Sequence, residues 1–340
     1  MNIAKMALVF LFVIVLSFYA VPKSSAATEE VVGYTVRAIL PENQVDKSVS
    51  YFDLLMNPGQ EQVIVVEIIN SSKEDSEFDV HITNPITNRN GVIDYTKVDA
   101  QVDDSLKIPI TDIASIEKNK VKVASGESVA VPIKLEMPEQ EFDGIILGGI
   151  YIEKSLDENE DAQITNKYSY AIGLKLMEND KEVAPELILK KVEPALVNYK
   201  TAIVAYIQNS SPVLVDNLTI NGVVYDSNEK ELRRVDVDEY RIAPNTTMEF
   251  AIDWEGNELE PGIYKVKIHA NSGFTNWDME KKFEILDKQA KELNKKVVKS
   301  GKDYTRTIIG GFSSIILVLL GIIGFLIKKN KTLHKESQNL

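Results

Sequence analysis

"SYFDLLMNPGQEQVIVVEIIN", residues 50–70, sets two apolar runs on either side of a Pro58-Gly59-Gln60 corner. Proline presets φ at the second position of a turn, and glycine accepts the conformation other residues resist at the third. Beyond the corner Val63, Val65, Glu67 and Ile69 interleave with Ile64, Val66 and Ile68. That β-branched run reads as a strand near Gln62 to Asn70, preceded by a shorter one near Tyr51 to Leu55. The corner is a turn in a scaffold, and no reaction is required of it.

The same signal recurs outward from this stretch. Val121 to Val123, Val129 to Leu135, Ile263 to Ile268 and Lys282 to Ile285 alternate with period two, each bounded by Gly, Pro, Asn or Ser. Many short strands at such spacing predict an all-β sandwich fold. Helix is confined to a turn near Asp112 to Lys118 and to the region before the last apolar segment. An internal repeat doubles the architecture: "VEIINSS" (66–72) is echoed by "VAYIQNSS" (204–211), and "VASGESVAVPI" (123–133) by "IAPNTTMEFAI" (242–252). "FDGIILGGIYI" from Phe142 and "EPGIYKVKI" from Glu260 follow at matching distances, 20 residues from Ala124 to Gly144 and 19 from Ala243 to Gly262. Two related sandwiches in tandem explain this economically; convergent turn chemistry is the alternative.

Both ends of the chain read as something other than sandwich. An apolar stretch from Ala7 to Phe18 followed by Ser24-Ser25-Ala26-Ala27 is an export signal over 1–27, with a retained anchor as the alternative. Ile308 to Ile327 carries no charge over 20 residues, which at about 1.5 Å per residue spans the roughly 30 Å of a bilayer core. The expected fold class is therefore all-β: two tandem immunoglobulin-like β-sandwich domains, 28–180 and 184–286, followed by a helical stalk (287–306), one C-terminal transmembrane helix (308–327) and a cytoplasmic tail (328–340). The first domain meets the second at "ENDKEVAP" (178–185), charged and proline-terminated. In the stalk Leu286, Ala290, Leu293 and Val297 form one helical seam, too short to claim a coiled coil.

Charge narrows the partners. Two positive charges precede residue 28 and a net three follow residue 327, so against the total of −13 the span between carries −18. A span this acidic will not bind nucleic acid by counterion release. There is no cysteine; for an exported chain that fits a Gram-positive bacterial surface better than an animal one.

Chemistry is hard to find. His81, His269 and His334 are far apart and no short zinc spacing exists; no nucleophile elbow or phosphate-cradling loop is present, and Gly148-Gly149 lies inside a strand pattern, marking a bulge or a close backbone approach. No cofactor is expected. Paired carboxylates stay open as an enzymatic idea, with Asp53, Asp94, Asp103 and Asp104 as nameable acids, although a solvated face explains each more simply. The acidic run 156–163 reads as a solvated loop, a calcium site being the sharper alternative, without the ligand spacing of a calcium loop. Asn70, Asn209, Asn217 and Asn245 stand in glycan-acceptor patterns and are read as turn residues. An acidic surface that holds a neutral sugar polymer would use aromatic stacking and directed hydrogen bonds; Tyr51, Phe52, Tyr95, Tyr151, Trp254 and Trp277 are the pool, with core packing as the plainer role.

"YFDLLMNPGQEQ", "TNRNGVIDYT" (87–96) and "GIILGGIYIEK" resemble the first domain of the WxL-interacting proteins of Gram-positive bacteria. "PELILKKVEPALVNYKTAIVAYIQNSSP" (185–212), "APNTTMEFAIDWEG", "LEPGIYKVKIHA" and "WDMEKKFEI" resemble the second. The resemblance covers about residues 31 to 286 plus the terminal helix. It implies peptidoglycan binding by the first domain, host-protein binding by the second, of which an extracellular-matrix protein is the expected kind, and partnership with WxL-domain surface proteins. Tyr51, Phe52, Asp53, Asn88, Asn90, Gly91 and Tyr95 match the family's signature and are the candidate binding positions. The functional expectation is a non-enzymatic, membrane-anchored cell-surface adhesion and scaffold protein; a cell-wall-processing enzyme or its accessory subunit is the alternative.

Overall fold

The computed structural model describes residues 33–155, 168–297 and 305–336. The export signal at 1–27 and the acidic run 156–163 with its calcium alternative lie outside the described residues, as do 337–340 of the tail.

Residues 32–298 form one compact unit that holds two sandwiches. In the first, β1 (Tyr34–Ile39), β3 (Glu61–Asn70), β9 (Ser128–Glu136) and β7 (Ala114–Ser115) lie side by side in that order, all antiparallel. The facing sheet runs β2 (Phe52–Leu55), β11 (Ser169–Met177), β10 (Ile146–Lys154), β4 (Ser76–Thr83), β8 (Lys120–Val123), with β2 parallel to β11. A small hairpin, β5 (Ile86–Thr87) with β6 (Ile93–Asp94), and a single helical turn, α1 (Ile110–Ile113), stand beside it. The second sandwich faces β12 (Leu187–Val197), β13 (Lys200–Asn209) and β16 (Thr246–Asp253) against β15 (Glu231–Ile242), β14 (Val215–Tyr225), β17 (Gly262–Ser272) and β18 (Thr275–Ile285).

Alternation puts the core where the sequence pattern says it should be. Along β9 Val131, Ile133 and Leu135 point inward between exposed neighbours, and along β17 Tyr264, Val266, Ile268 and Ala270 do the same. The Pro58-Gly59 corner is a turn as expected: Gln60 N donates to Asn57 O at 3.1 Å, and Gly59 has φ +68°. It does not close a hairpin. Phe52 and Leu54 enter the core from one sheet while Ile64, Val66 and Ile68 enter it from the other, so the corner carries the chain across the sandwich.

The internal repeat has a physical content. Asn70 Nδ2, fully buried, donates to Glu74 O (2.8 Å) and Val123 O (3.0 Å), and its Oδ1 accepts from Ser72 N (3.0 Å). Asn209 does the same at the equivalent corner, donating to Val213 O (2.7 Å) and Ala243 O (3.1 Å) and accepting from Ser211 N (3.2 Å). Each amide ties its strand end to a carbonyl at least 34 residues away, Val123 O or Ala243 O, and so fixes the corner from inside.

The helical reading around Asp112 to Lys118 shrinks to α1, because Ala114 and Ser115 turn out to pair with β9. After β18 comes α2 (Asp287–Lys296), the described start of the expected stalk. Its seam is occupied by the second sandwich: Ala290 is buried in that core, Leu293 packs against it, and Asn294 exchanges hydrogen bonds with Leu259 at 2.8 and 2.9 Å. Leu286 stays exposed. The other unit includes α3 (Thr305–Glu336), which contains the uncharged stretch 308–327. Ile308, Ile309, Ile315 and Ile327 have side chains outside the described residues; among the described residues no helix is long and apolar enough to cross a membrane.

Candidate functional site

The signature residues part company in the fold. Asn88 caps its own hairpin loop, its Oδ1 accepting from the backbone N of Asn90 (2.9 Å) and Val92 (3.2 Å), which leaves Gly91 at φ +65°. That loop is pressed against the second sandwich. Arg241 N donates to Gly91 O at 2.8 Å, Thr87 Oγ1 meets Thr246 Oγ1 at 2.7 Å and accepts from Ala243 N at 3.0 Å, and Arg89 pairs with Glu249. A methyl group on Gly91 would overlap the Tyr240 side chain.

Two of the candidate acids belong to the same junction. Gln208 Nε2 donates to Asp103 and Asp104 at 2.6 Å each, Thr247 Oγ1 donates to Asp103 at 2.5 Å, and Lys190 Nζ lies 2.7 Å from Asp104. The bonds from Lys190 and then Gln208 hold the Asp104 carboxyl down at about 2. Asp94 caps Thr96 through N (2.8 Å) and Oγ1 (2.7 Å). Asp53 is buried, its Oδ1 3.1 Å from Lys175 Nζ in an ion pair without hydrogen-bond alignment. Each nameable acid is thus engaged by protein groups. Among the described residues no cluster of His, Asp or Glu is arranged to hold a metal ion.

Tyr51 and Tyr95, 44 positions apart in the chain, come together on the outer face of the sheet. The floor beneath them is glycine. Gly149 and Gly173 are direct partners across β10 and β11; a Cβ on Gly149 would sit 2.5 Å from Tyr95 Cβ, and one on Gly173 would touch Tyr51 Cβ at 3.6 Å and the Tyr95 hydroxyl at 3.8 Å. Gly148 serves the other face, where any side chain would overlap buried Ile110. The paired glycines therefore mark a close approach on both faces, with no bulge in the β10 register. Buried Gln44 fixes the Tyr51 loop, its Nε2 donating to Tyr51 O and Asp46 O at 2.9 Å each. Thr83 Oγ1 fixes Tyr95 by donating to its carbonyl at 2.7 Å. Burial, with the neighbouring Tyr51, pushes the Tyr95 hydroxyl up to about 12, so it keeps its proton.

These tyrosines line a cleft of about 760 Å³ whose walls include Arg37, Tyr170 and Lys175 from the first sandwich and Arg241 from the second. Every cation there is matched: Arg37 by Glu67, Lys175 by Asp53 at 3.1 Å, Arg241 by Asp216 at 2.7 Å. Phe52 is fully buried and reaches no surface. Of the other aromatics, Tyr151 is buried beside His81, Trp254 is buried against Tyr264 beneath Arg233, and Trp277 packs on the second core. Lys175, Arg241 and Gly173 were not among the residues the sequence singled out. The Gly148-Gly149 pair inside a strand pattern points to a close backbone approach as one of its two readings; nothing local marks Arg241, which arrives from the other sandwich.

Residues 34–154 match the family model described as the WxL Interacting Protein peptidoglycan binding domain, and residues 159–295 the WxL Interacting Protein host binding domain. The second match starts upstream of β11, a strand that pairs within the first sandwich. No curated protein matches the chain. Among solved structures, the Escherichia coli chaperone DraB matches at 12% identity and a TM-score of 0.31, over 74% of this chain and 97% of its own. A Salmonella enterica SafA pilin complex with the SafB chaperone matches at 10% and 0.31, over 76% and 98%.

Proposed function

Because the chain belongs to the WxL-interacting protein family, we propose that it is a membrane-anchored, non-enzymatic scaffold of the cell surface, which holds peptidoglycan with its first sandwich and protein partners with its second. The observation that carries this is the pair of domain models, which together account for residues 34–295 apart from a short gap. Both family models describe binding domains, which supports binding over hydrolysis. Anchoring through α3 is supported by the uncharged run 308–327 and by the exposure of Phe312, Leu317, Val318 and Phe325 along that helix. β12 and β15 end their sheets in strand order, and the backbone groups they keep clear of Lys281 and Gly91 are where an extended segment of a WxL-domain protein, or of a host matrix protein, can add.

The test uses the full-length chain in detergent with purified wall sacculi. Co-sedimentation without release of soluble muropeptides is the expected result. Failure to sediment removes the wall-binding reading, and release of fragments that stops on substituting one acid makes the protein an enzyme.

A further inference from the structure

We infer that the cleft over the glycine floor is the glycan site, and that it takes an uncharged stretch of sugar chain, gripped between Tyr51 and Tyr95 at the junction of the two sandwiches. This placement rests on the wall-binding reading above. Three features point to it. Tyr95 is seated on backbone that only glycine at position 149 leaves open, Tyr51 stands beside it within contact distance of Gly173, and Gln44 and Thr83 hold the chain beneath them, so the rings form a preorganised platform. Among the described residues neither Tyr hydroxyl has a hydrogen-bond partner, and both residues line the same cleft. Two directional donors and acceptors therefore remain for a ligand, within a cleft of the size that small-ligand sites occupy.

The electrostatics choose the ligand class. A site for phosphate or carboxylate polymer would present unmatched cations, whereas Arg37, Lys175 and Arg241 each have a carboxylate partner and the whole chain carries −13. With their charge already matched, these side chains keep N–H groups that can donate to the hydroxyl and amide oxygens of a neutral sugar. The second sandwich completes the wall through Arg241, so the site exists only while the two sandwiches are docked.

Sacculi stripped of anionic polymers serve as the probe for the full-length chain in detergent, with unstripped sacculi alongside. The wild-type chain is expected to bind both alike, with affinity changing less than about twofold between roughly 0.05 and 0.5 M salt. Tyr51→Ala is expected to weaken binding about tenfold, and Tyr95→Phe, which removes one hydroxyl, about threefold. Melting temperature reports whether Tyr51→Ala still folds; if it does not, Tyr51→Phe and Tyr95→Phe, which keep the rings in place, decide the matter. Wild-type affinity in folded variants, with the wild type still bound to sacculi, overturns the site and leaves the wall-binding reading standing. Absence of wild-type binding overturns both. Binding that needs the anionic polymers, or that collapses with salt, overturns the neutral-glycan assignment.

Discussion

Gly91→Ala tests whether the "TNRNG" loop holds the sandwiches together. Gly91 sits at φ +65°, where an alanine costs about 1–2 kcal/mol in backbone strain alone. The added methyl also overlaps Tyr240 as far back as its Cβ, so rotating the ring does not clear it and β15 must move. Movement takes with it the Arg241 N to Gly91 O bond (2.8 Å) and, just past the end of the strand, the Ala243 N to Thr87 Oγ1 bond (3.0 Å), each worth about 1 kcal/mol net. The docking equilibrium should therefore lose about 2 kcal/mol, while the backbone strain falls on the loop itself whether or not the sandwiches are docked. Gly126→Ala is the matched control: its φ is +75°, and a methyl there meets nothing within 4 Å, so it bears the strain without the clash. The difference between the two, about 2 kcal/mol, is roughly a 30-fold change in the docked-to-undocked ratio. With no native cysteine, dyes placed through Lys73→Cys and Tyr199→Cys report on the two sandwiches alone. Gly91→Ala should broaden the energy-transfer distribution and split a single melting transition into two, while Gly126→Ala only lowers the melting temperature. Equal behaviour of the two variants would refute the assignment of the loop to docking.

Asn70→Ala should destabilise the first sandwich by about 3 kcal/mol, since it removes the amide's bonds to Glu74 O and Val123 O and the acceptor of Ser72 N, and Asn209→Ala should do the same to the second through Val213 O, Ala243 O and Ser211 N; chemical denaturation followed separately in each sandwich checks this. Asp104, held at about 2 against an ordinary value of 3.8, contributes stability that is present in full above the ordinary value and is lost as pH falls from about 4 towards 2. Melting temperatures across that window should drop less steeply for Asp104→Asn than for the wild type, and parallel curves would remove Asp104 from the junction's acid response.

The strands were legible because their cause is local. Alternation along residues 61–70, 128–136 and 262–272 reflects which side chains face a core, and the Asn-Ser-Ser echo at residues 70 and 209 marks two corners with one hydrogen-bonding job. The Pro58-Gly59 turn was legible for the same reason; its role in crossing between sheets was not, because sheet membership depends on partners more than 50 residues away. Single-residue readings fared unevenly. Tyr51 and Tyr95 share a cleft, whereas Phe52 fills the core and Asn88 shapes the docking loop, although all four stand in the same signature segments.

By itself, then, the sequence determined a β-rich chain of two repeated units, because period-two burial and turn chemistry are written residue by residue. Only the tertiary structure decided what those units make together: which glycines lie under which tyrosines, that Arg241 completes a wall begun in the other sandwich, and that Asp103 and Asp104 tie the two units together. Such pairings depend on register and on docking geometry, to which no short stretch of chain has access.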